Sequence, residues 1–314
     1  MKLEKILSII EHDFAVPEDE DYHSIASDLE KSLGSLNLDI RDNSFMILYK
    51  WCRKGIFADA ELLELGNRMI KNSSNGLGEI KSNNVFLRSF SALVLCGVLE
   101  ADELFYKGKI ENRKSFLTSE ILNGWLNQTI ESFLGERDLR GYIEVKSWAH
   151  SIAHFADLFI QYAFSPHIQK DGHLKILNTI AKKLLQPASL VFNAYEDGRL
   201  SRIITVILLR NLISLEDFRN WLAQFESYFI KSMGFDIKNN TSNCNVRLNA
   251  RTNIRLFLNK LYFMILFGDK ELVKSKEYSR SILKLEKDSL SKMVLHTIKK
   301  IDTEGFYYQD DIDK

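Results

Sequence analysis

The chain predicts an all-α protein built from stacked antiparallel helix pairs, an α/α superhelix or solenoid of the HEAT or armadillo kind. Three observations lead there. Turn formers are scarce, with 3 prolines and 15 glycines in 314 residues, too few for the many tight turns of an all-β or α/β fold. Apolar residues recur at helical spacing almost throughout. The polar clusters between those runs are short, and no stretch alternates as a strand does.

The elements follow in order. Leu3, Ile6, Leu7 and Ile10 mark a first helix. Residues 22–33 give a second, ended by Gly34. Phe45, Leu48, Tyr49 and Cys52 lie on a third, ended near Gly55. Residues 58–70 give a fourth, which stops in the Asn-Ser-Ser-Asn-Gly loop at 72–76. Asn84 starts a long helix to about Leu104, and 115–133 gives the next. Residues 148–164 form the clearest helix, stopped by Pro166. Helices at 173–185 and 200–212 follow. Ser214 caps the next, with Glu216 and Asp217 in its first turn, and it runs to about Gly234. Helices at 246–267 and 279–301 complete the set, and the acidic, aromatic tail after residue 305 is expected to fray or to dock on another chain. The whole of 1–314 reads as one domain, with weak breaks at 72–76 and 239–243.

Composition narrows the function classes. Lys plus Arg and Asp plus Glu both number 42, giving a net charge of zero. A general nucleic-acid binder needs a basic excess to neutralise phosphates, so a protein, a peptide or a small molecule is the expected partner. The longest apolar runs, 203–209 and 261–267, fall short of the roughly 20 residues of a membrane span. The N-terminus lacks a signal-peptide core, and Cys52, Cys96 and Cys244 lack the spacing of a disulfide framework or zinc ribbon. A soluble, reduced, cytoplasmic protein is expected. The richness in Lys, Asn, Ile and Ser fits an AT-rich bacterial genome.

One segment carries chemistry. Residues 138–157 hold Asp138, Arg140, Gly141, Trp148, His150, His154 and Asp157. On a helix over 148–164, with His150 at zero, His154 falls near about +40°, Asp157 near about −20° and Gln161 near about +20°. These four form a narrow polar stripe on an otherwise apolar helix, with Trp148 on the core side. Three readings stay open. The stripe is an internal hydrogen-bond network, or it lines a ligand or catalytic cleft, or His150, His154 and Asp157 hold a metal ion. Arg140 either faces an anion or pairs with Asp138 or Glu144, and Gly141 permits a positive φ or a close approach. The turn containing Glu196, Asp197 and Arg199 is either a charged inter-helix connection or a wall of the same cleft. Arg251 and Arg255 share one face of a late helix, where salt bridges are the default. No motif names a cofactor, and neither Ser147 nor Ser151 is marked as a nucleophile.

Asp138, Arg140 and Gly141, followed by Trp148, His150, His154 and Asp157, resemble a bacterial family catalogued as DUF2785. Its pattern is an acid-x-Arg-Gly run, then Trp-x-His-x-x-x-His-x-x-Asp. Residues 196–200 resemble that family's later acidic-Arg-Leu turn. Ser147 stands where the family usually places glycine. The resemblance implies an all-helical fold over most of the chain and carries no activity with it. The residues alone favour a binding or interaction scaffold with a polar His/Asp/Arg cleft. The alternative is an acid/base or metal-dependent enzyme, hydrolase-like, using the same stripe.

Overall fold

The computed structural model describes residues 1–236, 244–274, 282–302 and 305. The break expected at 239–243 and the acidic tail lie outside the described residues. The fold is all-α, a set of packed helices with a single two-stranded hairpin among the described residues. It falls into two compact units, Met1–Ile168 and Gln169–Lys314.

The first unit holds α1 (Leu3–Glu11), α2 (Tyr22–Ser32), α3 (Leu38–Lys54), α4 (Asp59–Asn72), α5 (Asn84–Tyr106), α6 (Ser119–Gly135), the hairpin strands β1 (Tyr142–Ile143) and β2 (Ser147–Trp148), and α7 (Ser151–Phe164). Helix ends follow local chemistry. Asp21 accepts from the His23 and Ser24 amides to start α2, and Asn37 accepts from Ile40 to start α3. Gly55 closes α3 at φ 72°, a conformation open to glycine without steric cost. Asn84 is the first residue of α5 rather than its cap. The next helix starts at Ser119, four residues later than expected, because Asp102 holds the Ser115 hydroxyl and the Phe116 and Leu117 amides outside it.

Helix α5 is the centre of this unit and packs against α3, α4 and α7. It is long and apolar enough to cross a membrane, but 78% of its most apolar window is buried within the protein. Burial on all sides explains why its sequence lacks a polar face. Close helix contact elsewhere depends on Gly66. A Cβ there would lie 2.1 Å from the Trp125 ring of α6.

The second unit holds α8 (Lys170–Leu185), α9 (Glu196–Arg210), α10 (Leu215–Asp236), α11 (Cys244–Phe267), α12 (Lys270–Val273), α13 (Ile282–Leu285) and α14 (Lys287–Lys300). Helix α11 packs against α9, α14 and α8. Ser214 and Asp217 cap α10 reciprocally, as the sequence indicates, and Lys170 adds an ion pair to Asp217 at 2.8 Å. Asp197 lies inside α9 and does not cap it; Tyr195 occupies that position at φ 66°.

Candidate functional site

The segment expected to be one helix is two structures. Residues 142–148 form a hairpin, with Tyr142 opposite Trp148 and Ile143 opposite Ser147. Helix α7 begins only at Ser151, and His150 precedes it in the left-handed region at φ 49°. His150 therefore does not share a helical stripe with His154, Asp157 and Gln161. Trp148 is not a core residue either. It is 39% exposed and its ring stacks on His150 at 4.7 Å.

The backbone here is strained. Val145 (φ 69°), Ser147 (φ 66°) and His150 (φ 49°) all occupy the left-handed region, which costs a non-glycine residue about 1–2 kcal/mol. Such strain persists where surrounding bonds over-determine it. Those bonds are present. The His150 amide donates to the Arg140 carbonyl, and the Ala149 amide to that of Gly141. Arg41, fully buried on α3, donates to the Lys146 carbonyl at 3.1 Å while its guanidinium lies over Phe86 and Phe90. The Lys146 ammonium reaches Asn83.

Beneath the hairpin sequence runs a buried charge network. Arg88 and Glu136, both fully buried, form a two-pronged pair at 2.8 and 2.9 Å. Arg88 also donates to the carbonyls of Asn75 and Gly76, and Glu136 accepts from the Ser151 hydroxyl and the Asp138 amide. Asp138 in turn binds Arg140 through two oxygens, and Arg140 donates to the Ser82 carbonyl. Arg140 is thus paired with Asp138, the intramolecular option of its two readings.

Rings connect the surface to the interior. Tyr142 meets Trp148 edge-on at 5.1 Å, Trp148 stacks on His150, His150 meets His154 at 5.5 Å, and His154 meets Phe90 at 5.3 Å. Exposure falls along this line, from 61% at Tyr142 to 6% at His150 and 7% at His154. The Ser89 hydroxyl lies 2.5 Å from the Ala149 carbonyl and 2.6 Å from His154 Nδ1. A carbonyl only accepts, so the serine's single proton points to Ala149. His154 must then carry its proton on Nδ1 and donate it to Ser89, an assignment that follows from the hydrogen-bond pattern.

Gln161 and Asp157 lie on α7 with His154. Gln161 donates to Glu100 at 3.0 Å, in a group with the Tyr49 hydroxyl and Arg53. Burial pushes the Glu100 carboxyl above its ordinary value, against the opposing effects of Tyr49 and Arg53. Asp157 is half-buried on α7. Glu196 and Arg199 lie on α9 in the second unit, where buried Glu196 accepts from the Ala194 amide. Arg251 and Arg255 both lie over the Phe229 ring. The metal reading needed His150 and His154 on one helix face. The two rings still meet at 5.5 Å, but among the described residues no group of three or more His, Cys, Asp or Glu side chains is placed to hold a metal ion.

The model of the family described as Protein of unknown function (DUF2785) matches residues 74–263, more than half of the chain. The chain belongs to the DUF2785 family. Comparison with curated proteins and with solved structures gave no match. The DUF2785 match spans the hairpin, the ring series and the Arg88–Glu136 network, but leaves Arg41 outside it. Sequence reasoning did not reach Arg41, Arg88, Ser89 or Glu136. An arginine set among the apolar residues of α5 was the available signal for Arg88.

Proposed function

We propose that this DUF2785 protein is a binding protein, with the β1–β2 hairpin as its recognition element and another protein as its partner. The observation that carries the reading is the exposed Tyr142–Trp148 pair on a strained hairpin, held by the buried Arg41. Exposed tryptophan and tyrosine on a pre-ordered loop contribute most to binding, because little entropy is lost on contact. The charged groups behind the hairpin favour support over chemistry, since Asp138 binds Arg140 and Glu136 binds Arg88.

An acid/base enzyme is the second reading, and the 2.6 Å contact between Ser89 and His154 favours it. The proton order runs against it. His154 donates to Ser89 rather than accepting from it, and Ser89 is fully buried.

A random peptide library displayed on phage, selected on the full-length protein, tests the binding reading. Selected sequences are expected to lose about 10-fold or more in affinity on Trp148→Ala or Tyr142→Ala, a typical effect of removing an aromatic anchor. Selections whose binding ignores both substitutions would overturn the proposal.

A further inference from the structure

We propose that His167 is a phosphoryl-acceptor site, with Nδ1 as the nucleophile and an activated small-molecule phosphate, an acyl phosphate or a phosphoramidate, as the donor. Three residues build the site within the first unit. Asp102 lies near the end of α5 and is 1% exposed. Ser115 lies in the connection from α5 to α6, and His167 follows the end of α7 at Phe164. The Ser115 hydroxyl is 2.9 Å from Asp102 Oδ1 and 2.9 Å from His167 Nε2. Nε2 in turn is 3.3 Å from Asp102 Oδ2.

The proton order fixes which atom reacts. A carboxylate only accepts, and besides Ser115 Asp102 takes the Phe116 and Leu117 amides at 2.7 and 2.8 Å. The single Ser115 proton therefore goes to Asp102, and Nε2 carries the imidazole proton and donates it to Ser115. The lone pair is left on Nδ1. That atom has no partner among the described residues, and the side chain is 20% exposed. A carboxylate behind one ring nitrogen fixes the tautomer, raises the basicity of the other nitrogen and stabilises the cation that forms. The Tyr106 ring, edge-on at 6.2 Å, flanks the imidazole.

The free lone pair suits group transfer. Nδ1 attacks phosphorus, the N–P bond forms, and the bond to the leaving group breaks with its electron pair on the leaving group. No proton has to be removed, whereas Ser115 would need a base. The resulting imidazolium keeps its Nε2 proton on Ser115, beside the Asp102 carboxylate. Charge selects phosphoryl over acyl donors. The connection at 107–118 is basic, with Glu111 its one acid. Lys107 pairs with Glu103 and Arg113 with Asp59, which leaves exposed Lys109 and Lys114 without an ion-pair partner among the described residues. Lys114 directly precedes Ser115, and a cation there favours the approach of an anionic donor.

The test incubates the full-length protein with potassium phosphoramidate and follows it by phosphorus NMR and peptide mass spectrometry. Phosphorylation is expected on His167 ahead of the other histidines, and at Nδ1. Asp102→Asn is expected to slow the transfer about 10-fold or more. Lys114→Glu, at an exposed position, is expected to slow it with no change in melting temperature. In the unaltered protein, no transfer, attachment at Nε2, labelling of Ser115, or labelling spread evenly over the histidines would overturn the proposal, whatever Asp102→Asn does to folding. A rate untouched by both substitutions would also overturn it. Acetyl phosphate that leaves an acetyl group on His167 in place of a phosphoryl group would overturn the choice of donor chemistry.

Discussion

His154 Nδ1 donates to the Ser89 hydroxyl across 2.6 Å, and Ser89 in turn donates to the Ala149 carbonyl at 2.5 Å. This relay joins α5 to the first residues of α7 and orients the innermost imidazole of the ring series. It is a structural contact with a checkable consequence. A fluorophosphonate, which labels activated serines, is expected to leave Ser89 unmodified in the native protein. Ser89→Ala strands the His154 donor and the Ala149 acceptor, and is expected to cost about 1–3 kcal/mol in chemical denaturation. Stoichiometric labelling at Ser89 would revive the enzyme reading.

Arg88 and Glu136 form a fully buried pair that is costly to break. Removing one partner leaves a desolvated charge, so Arg88→Met is expected to destabilise by about 3–5 kcal/mol. Adding Glu136→Gln is expected to cost less than the sum of the single changes, because no bare charge then remains. Urea denaturation of the two single variants and the double variant measures this. Additive losses would contradict the coupling.

Arg41 ties the hairpin to α3 through the Lys146 carbonyl. Arg41→Met keeps much of the packing against Phe86 and Phe90 but loses that bond. Hydrogen exchange at the amides of 142–148 is expected to quicken relative to the rest of the unit. Unchanged exchange there would mean that the strained turn is held without Arg41.

Asp217 supplies an acid-sensitive contact in the second unit. Its hydrogen bond to Lys170 leads the causes that lower its pKa from 3.8 to about 2, with further bonds from the Ser214 amide and hydroxyl. A lowered carboxyl stabilises the fold above its unfolded value, and that contribution is lost as the pH falls from about 4 through about 2. A carboxyl NMR titration is expected to place the Asp217 midpoint near 2, and Asp217→Asn to flatten the stability profile across that window. A midpoint at 3.8 would contradict the ion pair.

The helices were legible because apolar spacing and capping residues are local signals. Gly55, Ser214 and the polar loop at 72–76 each sit where a helix ends or begins. The hairpin was not legible, for an equally local reason. Its turns are made by Val145, Ser147 and His150 in the left-handed region, where sequence reasoning looks for glycine. Trp148, Ile152, Phe155 and Phe159 continue helical spacing across the break, so the period alone draws one helix through it. Arg88 and Glu136 lie 48 residues apart, and nothing local to either names the other. Candidate residues were visible singly, but their pairing depends on tertiary packing.

Photo-cross-linking reads out whether a partner is met at the hairpin. A benzophenone amino acid in place of Val145, which is 87% exposed at the hairpin tip, is compared in host cells with the same probe at exposed Lys109. A discrete protein adduct is expected at position 145, absent at 109 and lost when Trp148→Ala is added. Identical adducts at both positions, or an adduct at 145 that survives the loss of Trp148, would contradict it.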